Sequence, residues 1–205
     1  MLDSQGFNDW AGEYDESIAA CDARGEYPFA GYRQVLKRIE EIVLEKKGGD
    51  VLDLGFGTAA LTKPLYDAGF RIYGQDFSEA MLAIAGEKMP GAELYLGDFF
   101  TDLAPRLMEQ KYDFILATYC LHHLSSQQKT ELLKRLQRML KPEGIILIGD
   151  ISFESAADQE ACRERAGDDW DEEEVYIVYE ELVKDFPQLN YERISFCGSV
   201  LTLTA

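Results

Sequence analysis

The chain predicts an α/β fold: a mostly parallel sheet of seven strands layered between helices, with an antiparallel hairpin at its C-terminal end. Three observations predict it. Short apolar runs alternate with stretches of helical periodicity from residue 32 to residue 150. The first run, VLDL at 51–54, breaks into Gly55 and Gly57 and is followed by helical pattern. The last segment, YERISFCGSVLTLTA, holds two β-rich runs on either side of Gly198 and Ser199, which the spacing assigns to a hairpin turn.

Taken in order, Tyr32, Val35, Leu36, Ile39 and Val43 recur at helical spacing, and Gly48-Gly49 ends that helix before strand one at 51–54. Thr58 is the expected N-cap of the next helix, with Pro64 placed to kink it. RIYGQD, 71–76, is strand two, and Ser78 caps a helix with Glu79 in its first turn. ELYL, 93–96, and DFILAT, 113–118, are strands three and four. Leu132, Leu133, Leu136, Met139 and Leu140 form a helical stripe that stops at Lys141-Pro142, and IILIGD, 145–150, is strand five. Val175, Val178, Tyr179, Leu182, Val183 and Phe186 again show helical spacing. With no repeat or linker in view, the expectation is a single domain over 1–205: an N-terminal helical cap region, 1–47, and a core, 48–205.

Composition narrows the function. A hydrophobic content of 46% in 205 residues suits a packed core. A net charge of −18 opposes phosphate backbones, so nucleic acid is not an expected partner. The first residues, MLDSQGFNDW, lack the pattern of an export signal and no run of 18 apolar residues occurs, so the expectation is a cytoplasmic protein with no membrane partner. Cys21, Cys120, Cys162 and Cys197 lack CxxC spacing and read as free thiols. Six acids among residues 168–174 read as a solvated helix start, or alternatively as an acidic lid drawing in a cationic substrate.

The turn after strand one carries the chemistry. Gly55 and Gly57 let a backbone bend sharply beneath a ligand, and residues from Thr58 onward offer helix N–H groups. Read as GxGxxA through Ala60, the turn nominally fits a dinucleotide fingerprint. Asp53 shifts the balance, because an acid two residues before the first glycine repels a pyrophosphate and attracts an ammonium. Asp76, 19 residues after Gly57, is placed to accept both ribose hydroxyls, and Asp98 follows strand three; taken singly, either acid also reads as a simple turn residue.

VLDLGFGTA resembles the first motif of class I S-adenosylmethionine-dependent methyltransferases, with Ala59 in place of the usual third glycine. The ordered motifs extend that resemblance over nearly the whole chain, and FNDWAGEYDES resembles a prelude found in small uncharacterised methyltransferases of Gram-positive bacteria. The resemblance implies a Rossmann-like three-layer sandwich, S-adenosyl-L-methionine as cofactor, and a small-molecule methyl acceptor. It places Asp53 beside the methionine ammonium, Gly55, Gly57 and Thr58 under the cofactor, and Asp76 on the ribose. Phe77 and Phe99 would flank the adenine, Asp98 would accept its exocyclic amine, and Thr118 and Tyr119 would line the methionine end. Trp10 and Tyr14 in that prelude either close over the cofactor, their ring faces drawn to the sulfonium, or pack as an ordinary amphipathic helix, and Tyr27 and Tyr32 are candidates for shaping the acceptor pocket.

The segment ATYCLHHLSS lacks the Asn/Asp-Pro-Pro of amino-methylating enzymes and the Pro-Cys of cytosine-carbon enzymes. Tyr119, His122 and His123 are the candidate catalytic groups, either histidine as a base for a hydroxyl or thiol or as a packing residue, and Cys120 reads as a small hydrophobe. Adjacent histidines diverge, so the pair alone builds no metal site. Two other functions stay open beside the methyltransferase: a non-catalytic S-adenosylmethionine-binding regulator and a nicotinamide-dependent oxidoreductase.

Overall fold

The computed structural model describes residues 14–204. Trp10 and the side chain of Tyr14 lie outside the described residues. Among the described residues, helices α1 (Tyr14–Arg24) and α2 (Tyr32–Leu44) precede the sheet. Strands β1 (Asp50–Leu54), β2 (Arg71–Asp76), β3 (Glu93–Leu96) and β4 (Tyr112–Thr118) alternate with α3 (Thr62–Asp67), α4 (Glu79–Lys88) and α5 (Pro105–Met108). Next come α6 (Ser126–Gln137), β5 (Leu140–Phe153) and α7 (Ala156–Ala166). The chain then forms β6 (Ile177–Val178), α8 (Tyr179–Leu182), β7 (Asn190–Arg193) and β8 (Gly198–Thr204).

The strand order is β3-β2-β1-β4-β5-β8-β7, with β6 paired to the end of β5. Strands β1 to β5 run parallel, whereas β8 lies antiparallel between β5 and β7. The described sheet therefore matches the expected mixed architecture, with the short β6 as an additional strand.

Period-two alternation sends successive strand residues to opposite faces. Val51, Phe114, Leu116 and Leu147 pack with Val35, Ile39 and Leu65 on one face. Leu52, Ile115, Ala117 and Ile148 pack with Leu107, Leu132 and Leu136 on the other. Helix α2 fits closely because β5 presents Gly149 to it: a Cβ there would lie 2.5 Å from Val35 Cγ1 and 2.8 Å from Ile39 Cδ1.

The amino-terminal rim of the sheet is neutralised by ion pairs. Asp50 accepts from Arg71 Nε at 2.5 Å and Lys141 Nζ at 2.5 Å. Asp113 accepts from Lys141 Nζ at 2.7 Å, from the Asp50 amide at 2.8 Å, and from Lys46.

Several local expectations fail for identifiable reasons. Thr58 is not an N-cap, because Gly57 and Ala59 are left-handed at φ 52° and 60° and the chain is still turning there. Helix α3 starts at Thr62, which places Pro64 in the first turn, where a missing N–H costs nothing and no kink results. Lys141-Pro142 lies inside β5 rather than beyond a helix, and a register shift between Tyr112 and Phe114 absorbs it. The acidic run is not a helix start: α7 ends at Gly167, φ 57°, and residues 170–176 are irregular after one 3₁₀ turn. Ile177 and Val178 leave the helical pattern to pair with Ser152 and Phe153 of β5, and only Tyr179–Leu182 is helical. The hairpin turn is 194–197, with Gly198 and Ser199 already in β8, because the Ser195 hydroxyl accepts from the amides of Cys197 and Gly198.

Candidate active site

Strand order reverses between β1 and β4, the place where an open α/β sheet leaves a crevice at its carboxyl edge. The glycine bend lies there. Gly55 turns at φ 68° against the neighbouring loop, where a Cβ would meet Cys120 Cβ at 2.8 Å and Phe99 Cε1 at 3.6 Å. At Gly57 a Cβ would meet nothing within 4 Å, so this backbone faces open space.

The cleft has two lobes. One, about 340 Å³, is lined by Tyr32, Leu36, Gly55, Gly57, Thr58 and Tyr119 among others. The other, about 390 Å³, is lined by Gly55, Gly57, Asp76, Phe77, Met81, Thr118, Tyr119, Cys120 and His123. Sequence-derived candidates Gly55, Gly57, Thr58, Asp76, Phe77, Thr118, Tyr119 and His123 thus converge on one crevice.

Asp76 is buried at the end of β2 and ties the two strands together. Its Oδ2 accepts the Gly57 amide at 2.8 Å and its Oδ1 accepts the Ser78 amide at 2.9 Å. Burial raises its pKa, and the amides of Ser78, Gly57 and Phe77 oppose the rise. A carboxylate offers about four lone-pair sites, and with three amides bonded to it about one accepting position remains.

Asp53 sits one strand away, 1% exposed, and its Oδ1 has no hydrogen-bond partner. Burial pushes its pKa up to about 8, against the neighbouring Thr62 and with a contribution from the charge of Asp76. Burial favours its neutral form, and a neighbouring cation would favour the ionised one.

Tyr119 is held at φ 50°, a left-handed conformation uncommon for an aromatic residue, with its amide donating to Gly149 O at 2.8 Å. Its ring packs 4.8 Å from Tyr32 and 5.7 Å from Phe29, and its buried hydroxyl has no partner. Burial raises its pKa well above the ordinary tyrosine value.

The two histidines separate in role. His122 is buried with Nδ1 2.6 Å from Asp150 Oδ1, and Asp150 also accepts from the amides of Leu121 and Ile151. Desolvation lowers the His122 pKa, but the Asp150 charge and hydrogen bond outweigh it and the net shift is upward. His123 lines the cleft; burial and the neighbouring His122 bring it down to about 4, so it is neutral near pH 7.

Some candidates sit elsewhere. Asp98 is exposed and closes its own turn, accepting from the Phe100 amide at 2.8 Å and the Thr101 hydroxyl at 2.9 Å. Cys120 lines the cleft and donates to Leu54 O at 3.2 Å, a more specific placement than a hydrophobic filler. Tyr27 stacks on Trp170 at 5.4 Å and hydrogen-bonds Tyr176, away from the cleft lining, whereas Tyr32 does line it. The sequence reading missed Asp150, Lys129, Met81 and Glu174. Asp150 alone had a signal, as the acid ending the IILIGD run.

Among the described residues no helix is long and apolar enough to cross a membrane. Comparison with known proteins gives the same direction as the geometry. Residues 51–144 match the model of a methyltransferase domain. An uncharacterised methyltransferase of Oceanobacillus iheyensis is 39% identical over 149 residues, covering 73% of this chain and 67% of the relative. An uncharacterised methyltransferase of Geobacillus kaustophilus is 36% identical over 159 residues, covering 77% and 69%. Among solved structures, DhpI in a complex with SAM and HEP superposes with a TM-score of 0.72 at 19% identity, covering 98% of this chain and 96% of that one. Magnesium protoporphyrin IX methyltransferase from Synechocystis PCC 6803 with bound SAH reaches 0.69 at 16% identity, covering 99% and 100%. The glycine bend between Asp53 and Asp76 and the identity to these relatives lead to one assignment: the chain belongs to the class I S-adenosylmethionine-dependent methyltransferases.

Proposed function

We propose that this protein moves the methyl group of S-adenosylmethionine onto a small molecule that enters beside Tyr119 and His123. The observation that carries the reading is the unpartnered, fully buried Asp53 Oδ1 next to a glycine bend whose Gly57 faces open space. A buried acid without a partner costs stability, and the ammonium of an amino acid tail with no phosphate removes that cost. The residues present therefore fit the cofactor.

Within this reading Asp53 receives the methionine ammonium, and Asp76 takes the ribose hydroxyls. Phe77 and Phe99 flank the adenine, and Asp98 turns from its own loop to the exocyclic amine. Thr118 and Tyr119 line the methionine end, with Trp10 and Tyr14 as the covering residues. Gly55, Gly57 and Thr58 form the floor. Bound there, the cofactor supplies an electrophilic methyl carbon on a cationic sulfur. The protein's part is alignment in a dry cleft, worth about 7–11 kcal/mol when two reactants are held in line. His123, neutral near pH 7 and facing the cleft, is the titratable group that meets the acceptor.

The test is incubation of the protein with methyl-labelled S-adenosylmethionine and a metabolite extract, read by mass spectrometry. A labelled small molecule supports the proposal. Tight cofactor binding with no labelled product across a broad extract favours a regulator that binds without turnover.

A further inference from the structure

Beside the cofactor cleft, three side chains from two distant segments converge. His122 Nε2 lies 3.6 Å from Glu174 Oε1, and His123 Nδ1 lies 4.0 Å from the same oxygen. All three ligand atoms fall within 4.8 Å of one another. A tetrahedral ion with bonds of about 2.0–2.2 Å sets its ligand atoms about 3.3–3.6 Å apart, so a modest contraction completes the geometry.

We propose that His122, His123 and Glu174 form a divalent transition-metal site, of the zinc type, whose open position receives the methyl acceptor as a hydroxyl or thiol.

The surroundings match what such a site requires. Metal-binding imidazoles usually carry a carboxylate on their second nitrogen, which fixes the tautomer and aims the first. Asp150 does this for His122 at 2.6 Å, leaving Nε2 toward Glu174. Glu174 is positioned by its neighbour: the Val175 amide donates to His122 O at 2.9 Å, and Lys129 Nζ donates to Val175 O at 2.5 Å. The loop that brings the carboxylate is thus pinned to the backbone of the histidine pair. Lys129 also donates to Leu124 O, so this ammonium is engaged with carbonyls. Asp150 and Glu174 against Lys129 leave one net negative charge for a dication, and two imidazoles with one carboxylate suit zinc or a neighbouring first-row ion.

His123 belongs at once to this group and to the cleft lining, so the fourth position opens where the methyl group is delivered. This role rests on the methyltransferase reading. An acceptor hydroxyl or thiol bound there loses its proton to water more readily. Its oxygen or sulfur then forms the new bond to the methyl carbon as the sulfonium C–S bond breaks, the electron pair staying on the departing thioether.

The experiment is titration of the full chain, freed of metal by chelator, with zinc chloride in a calorimeter, alongside Glu174→Gln and His123→Gln. Cobalt(II) absorption in the visible gives an independent view of coordination. The expected result is one ion per chain, at least tenfold weaker binding in each variant, and an intense four-coordinate cobalt spectrum lost with Glu174→Gln. Equal zinc affinity in wild type and both variants, or no binding in the wild type, overturns the proposal. S-adenosylhomocysteine affinity is measured on the same samples. Its retention in Glu174→Gln separates failure of the metal site from failure of the methyltransferase reading, which would show as no nucleoside binding in any sample.

Discussion

The Asp76 carboxylate accepts the Gly57 amide at 2.8 Å, so the acid ending β2 holds the bend that follows β1. One side chain shapes the floor of the cleft and, in the proposed reading, accepts the ribose hydroxyls. Asp76→Ala is expected to weaken S-adenosylhomocysteine binding by about 1–3 kcal/mol through lost charge-assisted hydrogen bonds. It is also expected to lower the melting temperature, because the amides of Gly57 and Ser78 lose their partner. Calorimetry and thermal denaturation check the two effects separately, and unchanged affinity would remove Asp76 from the ribose.

Asp53, raised by burial to about 8, is mostly protonated at pH 7 in the ligand-free protein. Its folded pKa lies above the unfolded value, about 3.9, so the folded state keeps a proton that the unfolded state has lost. The stability it contributes is present at low pH and declines as pH rises through that window. An arriving ammonium reverses the preference and favours the ionised acid. Binding of S-adenosylmethionine at pH 7 is therefore expected to release close to one proton. Binding enthalpies in buffers of different ionisation enthalpy measure it, and Asp53→Asn should abolish the release.

Tyr119 carries a buried hydroxyl with no partner. Such a group costs about 1–3 kcal/mol, so Tyr119→Phe is expected to raise the unfolding free energy of the ligand-free protein toward that amount. Turnover is expected to fall in the same variant, since Tyr119 lines both lobes of the cleft. Urea denaturation beside a methyl-transfer assay shows whether stability and activity move in opposite directions; a fall in both would mean that the hydroxyl has a structural partner.

Gly149 is where β5 admits helix α2. A methyl group there meets Val35 Cγ1 at 2.5 Å and Ile39 Cδ1 at 2.8 Å. Gly149→Ala is expected to destabilise the fold by about 1–3 kcal/mol, the cost of overpacking a filled core. Chemical denaturation reads this directly, and pairing the change with Ile39→Val should recover part of the loss.

The strands, the glycine bend and the position of Asp76 were legible because each is written in local spacing. A run such as VLDLGFG carries its own turn, and RIYGQD carries its own acid. Elements whose conformation is decided by distant partners were not legible. Residues 175–186 hold a helical pattern, yet Ile177 and Val178 extend because the end of β5 needs a hydrogen-bonding partner. Thr58 looks like a cap but lies between two left-handed residues. Glu174 is read in sequence as one acid among six; only the fold shows that it reaches the two histidines. The hairpin turn was misplaced because Gly198-Ser199 looks like a turn pair, whereas the Ser195 side chain makes the turn instead.

The two rims of the sheet differ in a way that has a consequence for how the molecule can change. Asp50 and Asp113 at one edge are matched by Lys46, Arg71 and Lys141, while among the described residues no cationic side chain is bonded to Asp53 and Asp76 at the other. This is a division of labour between foundation and workshop. Substitutions at the matched edge spend only robustness, whereas those at the unmatched edge reach the cleft and, at Asp76, the bend that this acid holds together.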